Sequence, residues 1–348
     1  MMIQEILKEA VSRKVSDIFL IPGRPVSFYK NGVIVKQDSE SLTPDEVEEG
    51  IKEIYDIAER EYTMLVGRGD DDFSLSVPGL SRFRVSAYKQ RGTASAVLRV
   101  ISFTLPDPVE YSIPENIVEL GNQSNGMVLI TGPAGSGKSS TLACIIDHIN
   151  KTRESHVITL EDPIEYLHRH EQSIVSQREI GVDTVSYVTG LRAALRQCPH
   201  VILLGEMRDF DTISVAMTAA ETGHLLLSTL HTMGASNTIN RIIDVFPANQ
   251  QRQVTVQLSS VLHAVVSQQL LPTVNGGVVP AFEIMTMTPA IRNMIRDGKV
   301  HQIDGVIYSS PDENMISMDE SISRLLKNGI ISRETAEKFA VHPERLKR

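Results

Sequence analysis

The 348-residue sequence has no tryptophan and only two cysteines, Cys144 and Cys198. Two thiols are too few for a disulfide scaffold or a cysteine-built zinc site, and they suit a reducing compartment. No apolar run approaches the ~20 residues needed to span a bilayer, so any membrane association must go through partners. The opening MMIQEILKEAVSRK lacks an apolar core with a cleavage site and reads as an amphipathic helix, not a signal peptide. A basic excess is missing too. The 34 Lys and Arg face 43 Asp and Glu, a net charge of −9, which argues against a protein coated in nucleic acid. There is no internal repeat and no low-complexity tract.

What is present suits a two-domain globular chain, with 41% hydrophobic and 22% charged residues. Residues 1–102 read as a small α+β domain. VSFYKNGVIVK forms two β-rich runs around the hairpin signal Asn31-Gly32. In TPDEVEEGIKEIYDIAEREYTMLV, Thr43 caps a long helix, Pro44 takes its first position and Glu46 completes a capping box. DFSLSVPG, SRFRVSAYKQ and TASAVLRVI alternate as strands. The three prolines of FTLPDPVEYSIPE place a linker over 103–120. Residues 121–348 then alternate short apolar strands (GMVLITG, HVITL, VILLG, LLLSTL) with helices, which predicts a parallel sheet covered on both faces. After residue 247 the pattern predicts mostly helix, including one long amphipathic helix over QQRQVTVQLSSVLHAVVSQQLL and further helices at TPAIRNMIRDGKV and SMDESISRLLKNG.

GPAGSGKS, residues 132–139, matches G-x-x-x-x-G-K-[ST] between a strand and a helix. Gly132, Pro133, Ala134, Gly135, Ser136, Gly137, Lys138, Ser139 and Ser140 are the nucleotide-binding candidates. Glycines let backbone N–H groups close on phosphate oxygens, Lys138 reaches the β- and γ-phosphates, and Ser139 ligates Mg²⁺. LEDPIEYLH groups Glu161, Asp162 and Glu165 around Pro163. These acids form either a solvated turn or a carboxylate set that faces the metal and orients a water on the γ-phosphate. In VILLGEMRD the first acid, Glu206, follows Gly205 where the strand leaves the sheet, the edge at which α/β sheets bind ligands. It reads as a magnesium-side carboxylate acting through water. TAAETGHLLLSTLHT places His224 and His231 up to ~23 Å apart on one strand. His231 and Thr229 lie at the ligand edge as candidate γ-phosphate sensors, while His224, at the opposite edge, is structural or a subunit contact. Arg82, Arg84, Arg91 and Arg99 are either solvated or a charge clamp on nucleotide in the manner of an arginine finger.

These motifs together resemble the PilT-type ATPases of the type II/type IV secretion superfamily, retraction motors of type IV pili, over nearly the whole chain. GPAGSGKS is similar to their Walker A, EDPIEYLH to their Asp box, ILLGEMRD to their Walker B, and TAAETGHLLLSTLHT to their His box. QREIGVDT and LRAALR match the segment after the Asp box. AIRNMIRD, with Arg292 and Arg296 four residues apart, is close to the C-terminal motif associated with retraction. The resemblance implies an α/β fold, with a RecA-like P-loop ATPase domain and a smaller PAS-like α+β N-terminal domain. It implies a homohexamer with ATP and Mg²⁺ held between domains. It assigns Glu165 as the catalytic carboxylate with Glu161 in reserve, Glu206 and Asp162 to the metal side, and His231 to the γ-phosphate. It also implies an inner-membrane platform protein and a paralogous retraction ATPase as partners, and a cytoplasmic location peripheral to the inner membrane.

Two segments depart from the family pattern. Gln197, Cys198 and His200 in RQCPHVILL replace the usual acids around the proline, and LLLS replaces an aromatic-glycine pair. Pilus assembly or type II secretion ATPases are the alternative, but those carry a four-cysteine zinc motif and a larger N-terminal region. A RecA-like nucleic-acid translocase ranks below both, because the chain is acidic and lacks a basic-aromatic stripe. An inactive accessory ring subunit ranks lowest, since every apparent catalytic group is present.

Overall fold

The computed structural model describes residues 3–30, 33–38, 40–101, 104–310 and 314–346. It divides into two compact units, Met1–Thr104 with Glu165–Leu167, and Leu105–Ile164 with His168–Arg348.

The first unit runs α1 (Ile3–Ser12), β1 (Asp17–Leu20), β2 (Ser27–Lys30), β3 (Val33–Lys36), α2 (Pro44–Ile57), α3 (Thr63–Arg68), β4 (Asp70–Val77), β5 (Ser81–Gln90) and β6 (Thr93–Ile101). Its antiparallel sheet has the order β3-β2-β1-β6-β5-β4. The alternating runs formed strands as their pattern requires. On β5, Phe83, Val85 and Ala87 face the core while Arg84 and Ser86 face solvent. The Asn31-Gly32 turn lies outside the described residues. The capping box at Thr43 is present, with the Glu46 carboxylate accepting the Thr43 N–H at 2.7 Å and Thr43 Oγ1 accepting the Glu46 N–H at 3.3 Å. The expected long helix is broken: α2 stops at Ile57, and Arg60 leaves it to grip Asp71 with two hydrogen bonds of 2.8 and 2.6 Å, beside the Tyr55 hydroxyl.

The second unit begins with α4 (Glu115–Val118), β7 (Gly126–Thr131), α5 (Lys138–Thr152), β8 (His156–Glu161) and β9 (Ile174–Glu179). It continues through α6 (Tyr187–Ala194), β10 (Val201–Leu204), α7 (Phe210–Glu221) and β11 (Leu225–Leu230). Then follow α8 (Ala235–Asp244), α9 (Ala248–Val261), β12 (Leu262–Pro272), β13 (Val278–Thr286), α10 (Pro289–Arg296), α11 (Ile303–Ser309), α12 (Met318–Lys327) and α13 (Arg333–Phe339). Its sheet has the order β13-β12-β7-β11-β10-β8-β9, parallel except for the β12–β13 pair. Strands β7, β10 and β11 are buried at every position, and separate apolar cores cover the two faces. The stretch expected to link the domains is, from Leu105 on, part of this unit. Ile113, Ile117, Val118 and Leu120 join the core on one face of the sheet.

The long helix expected over 250–271 is a correction. Only its first part is helical, as α9, and the chain from Leu262 is strand β12. Strand β12 lies between β7 and β13, so its backbone hydrogen bonds are satisfied on both sides and its β-branched Val265 and Val266 pack into the two cores. The region after residue 247 is therefore helical only through α9 before the antiparallel hairpin of β12 and β13 interrupts it, and helices resume at α10.

Candidate functional site

Parallel pairing brings the carboxyl ends of β7, β8, β10 and β11 to one edge of the second unit's sheet. Leu204 of β10 is level with Leu160 of β8 and Ser228 of β11, and Thr229 is level with Ile130 of β7. The next residues out are Glu161, Gly205 and Glu206, His231, and the Gly132 loop. One sheet edge thus gathers four of the sequence motifs.

The loop 132–137 is shaped for close backbone approach. A Cβ on Gly132 would fall 2.2 Å from the Gln268 carbonyl oxygen, and one on Gly137 would fall 2.9 Å from Gln268 Nε2. Gly135 has φ +74 with open space beside it. Pro133 and Ala134 are exposed, and Ser139 and Ser140 are half-buried in the first turn of α5. Lys138 is buried, and its Nζ donates to the carbonyls of Gly132 and Pro133 at 2.9 and 2.8 Å. Ser136 Oγ is buried with no partner among the described residues. A buried cation, an orphaned hydroxyl and a helix N-terminus around a glycine loop fit a phosphate chain. Gln268 is what the sequence reading missed. It is buried on β12 and accepts a 2.8 Å hydrogen bond from Thr141 Oγ1 of α5, so it ties the loop and its helix to the sheet.

The acids meet around Tyr187. Burial pushes this phenol well above its ordinary range, and the carboxylates of Glu206, Asp162 and Glu161 add to the effect. Glu161 Oε1 accepts from Thr159 Oγ1 at 2.6 Å and Gln177 Nε2 at 3.2 Å. Glu206 pairs with Arg208 at 2.7 Å and with His231 Nε2 at 3.5 Å. Thr229 Oγ1 donates to the Gly205 carbonyl at 2.5 Å, so this hydroxyl holds the turn that carries Glu206. A Cβ on Gly205 would lie 2.9 Å from the Tyr187 hydroxyl, so a side chain there would have to displace the end of that ring. Asp162 is exposed at the β8 exit. Glu165 is exposed, and Glu165–Leu167 fall with the first unit. Among the described residues no three His, Cys, Asp or Glu side chains could hold a metal alone. Mg²⁺ normally takes only one or two protein ligands beside phosphate oxygens, and the hard oxygens of Ser139 and Glu206 are of that kind.

The other candidates of the second unit lie apart from this edge. His224 sits at the amino end of β11, where its Nδ1 is 2.9 Å from the Ala219 carbonyl in the last turn of α7, a structural contact. The neutral segment before β10 is at that same far edge: His156 Nδ1 meets the Gln197 carbonyl at 2.8 Å and the His156 N–H donates to His200 Nδ1 at 3.0 Å. Cys198 is exposed. Arg292 Nη1 donates to the Ser260 carbonyl at 3.2 Å, joining α10 to α9, and Arg296 is exposed. In the first unit Arg82, Arg84 and Arg99 share the sheet face away from the core. Arg82 reaches Ser76 Oγ at 3.2 Å, Arg99 pairs with Asp17 at 2.9 Å, and Arg91 sits in the β5–β6 turn.

Comparison with known proteins decides the family. The profile for "Type II/IV secretion system protein" matches residues 1–277. The chain belongs to that family. It is 41% identical to the type IV pilus retraction ATPase PilT of Pseudomonas aeruginosa, over 98% of this chain and 99% of that protein. It is 37% identical to the pilus ATPase PilU of the same organism, over 96% of this chain and 87% of that one. The crystal structure of the retraction motor PilT with bound ADP matches with a TM-score of 0.91 at 42% identity, covering 99% of both chains. The Legionella pneumophila ATPase DotB matches with a TM-score of 0.82 at 30% identity, over 96% of this chain and 94% of that one. The protein is therefore an ATP-hydrolysing enzyme with the two-domain fold of these ATPases.

Proposed function

We propose that this ATPase is the motor that withdraws type IV pili. The observation that carries the reading is the end-to-end match to a pilus retraction ATPase, 98% of this chain against 99% of that protein. In this reading Lys138 and the loop N–H groups bind the phosphates. Ser139 and Glu206 hold Mg²⁺, which when bound neutralises charge on the β- and γ-phosphates. Glu165 orients the attacking water and takes its proton, with Glu161 as the reserve base and Asp162 on the metal side. His231, fixed by Glu206, contacts the γ-phosphate. Arg82, Arg84, Arg91 and Arg99 supply clamping charge. The chain works as a homohexamer at the cytoplasmic side of the inner membrane, acts on a platform protein and is accompanied by a paralogous ATPase. Among the described residues no helix is long and apolar enough to cross a membrane.

An assembly or secretion ATPase is the competing reading. The similarity to a type II secretion protein E of Aeromonas hydrophila covers only 45% of this chain and 29% of that protein, which favours retraction. The test is genetic. Deleting the gene and restoring it with Glu165→Gln is expected to give hyperpiliated cells whose pili do not retract. Cells without pili would indicate assembly instead.

A further inference from the structure

Tyr187 carries a hydroxyl that the packing of its ring does not explain. The residue opens α6, whose amino end Ser186 caps by accepting the Thr189 N–H at 3.2 Å. The ring is half-buried and packs against the core on one face of the sheet, a space that phenylalanine would fill as well. The oxygen reaches further, to the gap between the exits of β8 and β10. A Cβ built on Gly205 would stand 2.9 Å from it and 3.4 Å from Glu161 Cα. No hydrogen bond joins this hydroxyl to any described residue. Burial, and after it the charge of Glu206, keeps the phenol protonated at neutral pH, so it remains a donor.

Glu206 shows the complementary lack. Its Oε2 takes both ion-pair contacts, Arg208 Nε at 2.7 Å and His231 Nε2 at 3.5 Å. Its Oε1 accepts no hydrogen bond among the described residues. A donor without an acceptor and an acceptor without a donor therefore stand at one strand exit, close enough that Glu206 acts on the phenol more strongly than any other charge. A single water bridges such groups nearly as well as direct contact.

On the reading that Glu206 serves the metal, we propose that Tyr187 is a positioning residue for this carboxylate. Its O–H donates through one water to Oε1, while Arg208 and His231 hold Oε2. Donors on both oxygens fix the rotation of the carboxylate, and each oxygen keeps a lone pair for the metal side. The ring shapes the glycine turn, and the hydroxyl aims the acid.

The experiment is titration of Mn²⁺ into the full-length protein with saturating ADP, with free Mn²⁺ read by electron paramagnetic resonance. Wild type, Tyr187→Phe and Glu206→Gln are compared, and ADP affinity without metal and the unfolding midpoint are measured for each. Tyr187→Phe is expected to weaken Mn²⁺ binding about tenfold, with metal-free ADP affinity unchanged and the unfolding midpoint no lower. A purely structural ring would leave Mn²⁺ affinity untouched in this variant. Wild-type Mn²⁺ affinity in Tyr187→Phe, with weakened affinity in Glu206→Gln, would overturn the proposal and leave the role of Glu206 standing. Wild-type affinity in Glu206→Gln would remove Glu206 from the metal, and the proposal with it. A parallel loss of metal-free ADP affinity in Tyr187→Phe would also overturn it, since the hydroxyl would then support the whole site.

Discussion

Gly205 shows how one residue can set the geometry of an acidic strand exit. The Tyr187 hydroxyl fills the space a side chain would take, and the Thr229 hydroxyl holds the Gly205 carbonyl, so Glu206 leaves the sheet in a fixed direction beside His231. Gly205→Ala is expected to destabilise the protein by about 1–3 kcal/mol through overpacking, measured by denaturant unfolding. Adding Tyr187→Phe, which removes the clashing oxygen, should recover part of the loss. If the double variant is no more stable than Gly205→Ala, the close approach is not the cause. At this scale the sequence was readable where chemistry is local. A glycine loop ending in Lys-Ser and acids or histidines at strand ends announce themselves by spacing. Tyr187 and Gln268 do not, because each acts on a motif distant in the chain and nothing in its own neighbourhood marks it. The choice of Glu165 over Glu161 as the base came from family resemblance, whereas the local reading left both the acidic turn and the N-terminal arginines with a solvated alternative.

Strand β12 carries the same lesson at the scale of elements. QQRQVTVQLSSVLHAVVSQQLL satisfies an amphipathic helix and a buried strand equally well, and short apolar runs do not separate the two. The tertiary context decides, since the edge of β7 needs a partner. The strand that results supplies Gln268 behind the P-loop. Gln268→Leu is expected to weaken ADP binding about tenfold, measured by fluorescence titration, because Thr141 and the loop lose their anchor. Unchanged affinity would remove Gln268 from the site. His168, the last residue of the LEDPIEYLH segment, gives a pH prediction. Burial lowers its pKa from 6.5 to about 4, and its Nδ1 has no partner among the described residues. The unfolded chain therefore binds a proton that the folded chain refuses between those values. The stability contribution is complete above pH 6.5 and is lost as pH falls towards 4. His168→Leu should flatten the dependence of unfolding stability on pH in that window. An unchanged slope would place the titrating group elsewhere.

On the scale of the molecule, the chain forms two units with separate cores. The parallel sheet of the second gathers P-loop, acids and His231 on one edge, which the alternation of apolar strands and helices already foretold. The extent of the second unit was not legible, because the proline-rich stretch before residue 120 looks like a linker and instead buries Ile113, Ile117 and Leu120 in the core. The central proposal is that this ATPase uses Glu165 as the base that activates water. The most direct measurement is ATP turnover by the purified protein with Mg²⁺, wild type against Glu165→Gln, with ATP affinity measured in parallel. The account predicts turnover lower by ~10²–10⁴-fold with ATP binding retained. Turnover at the wild-type rate in Glu165→Gln would contradict it.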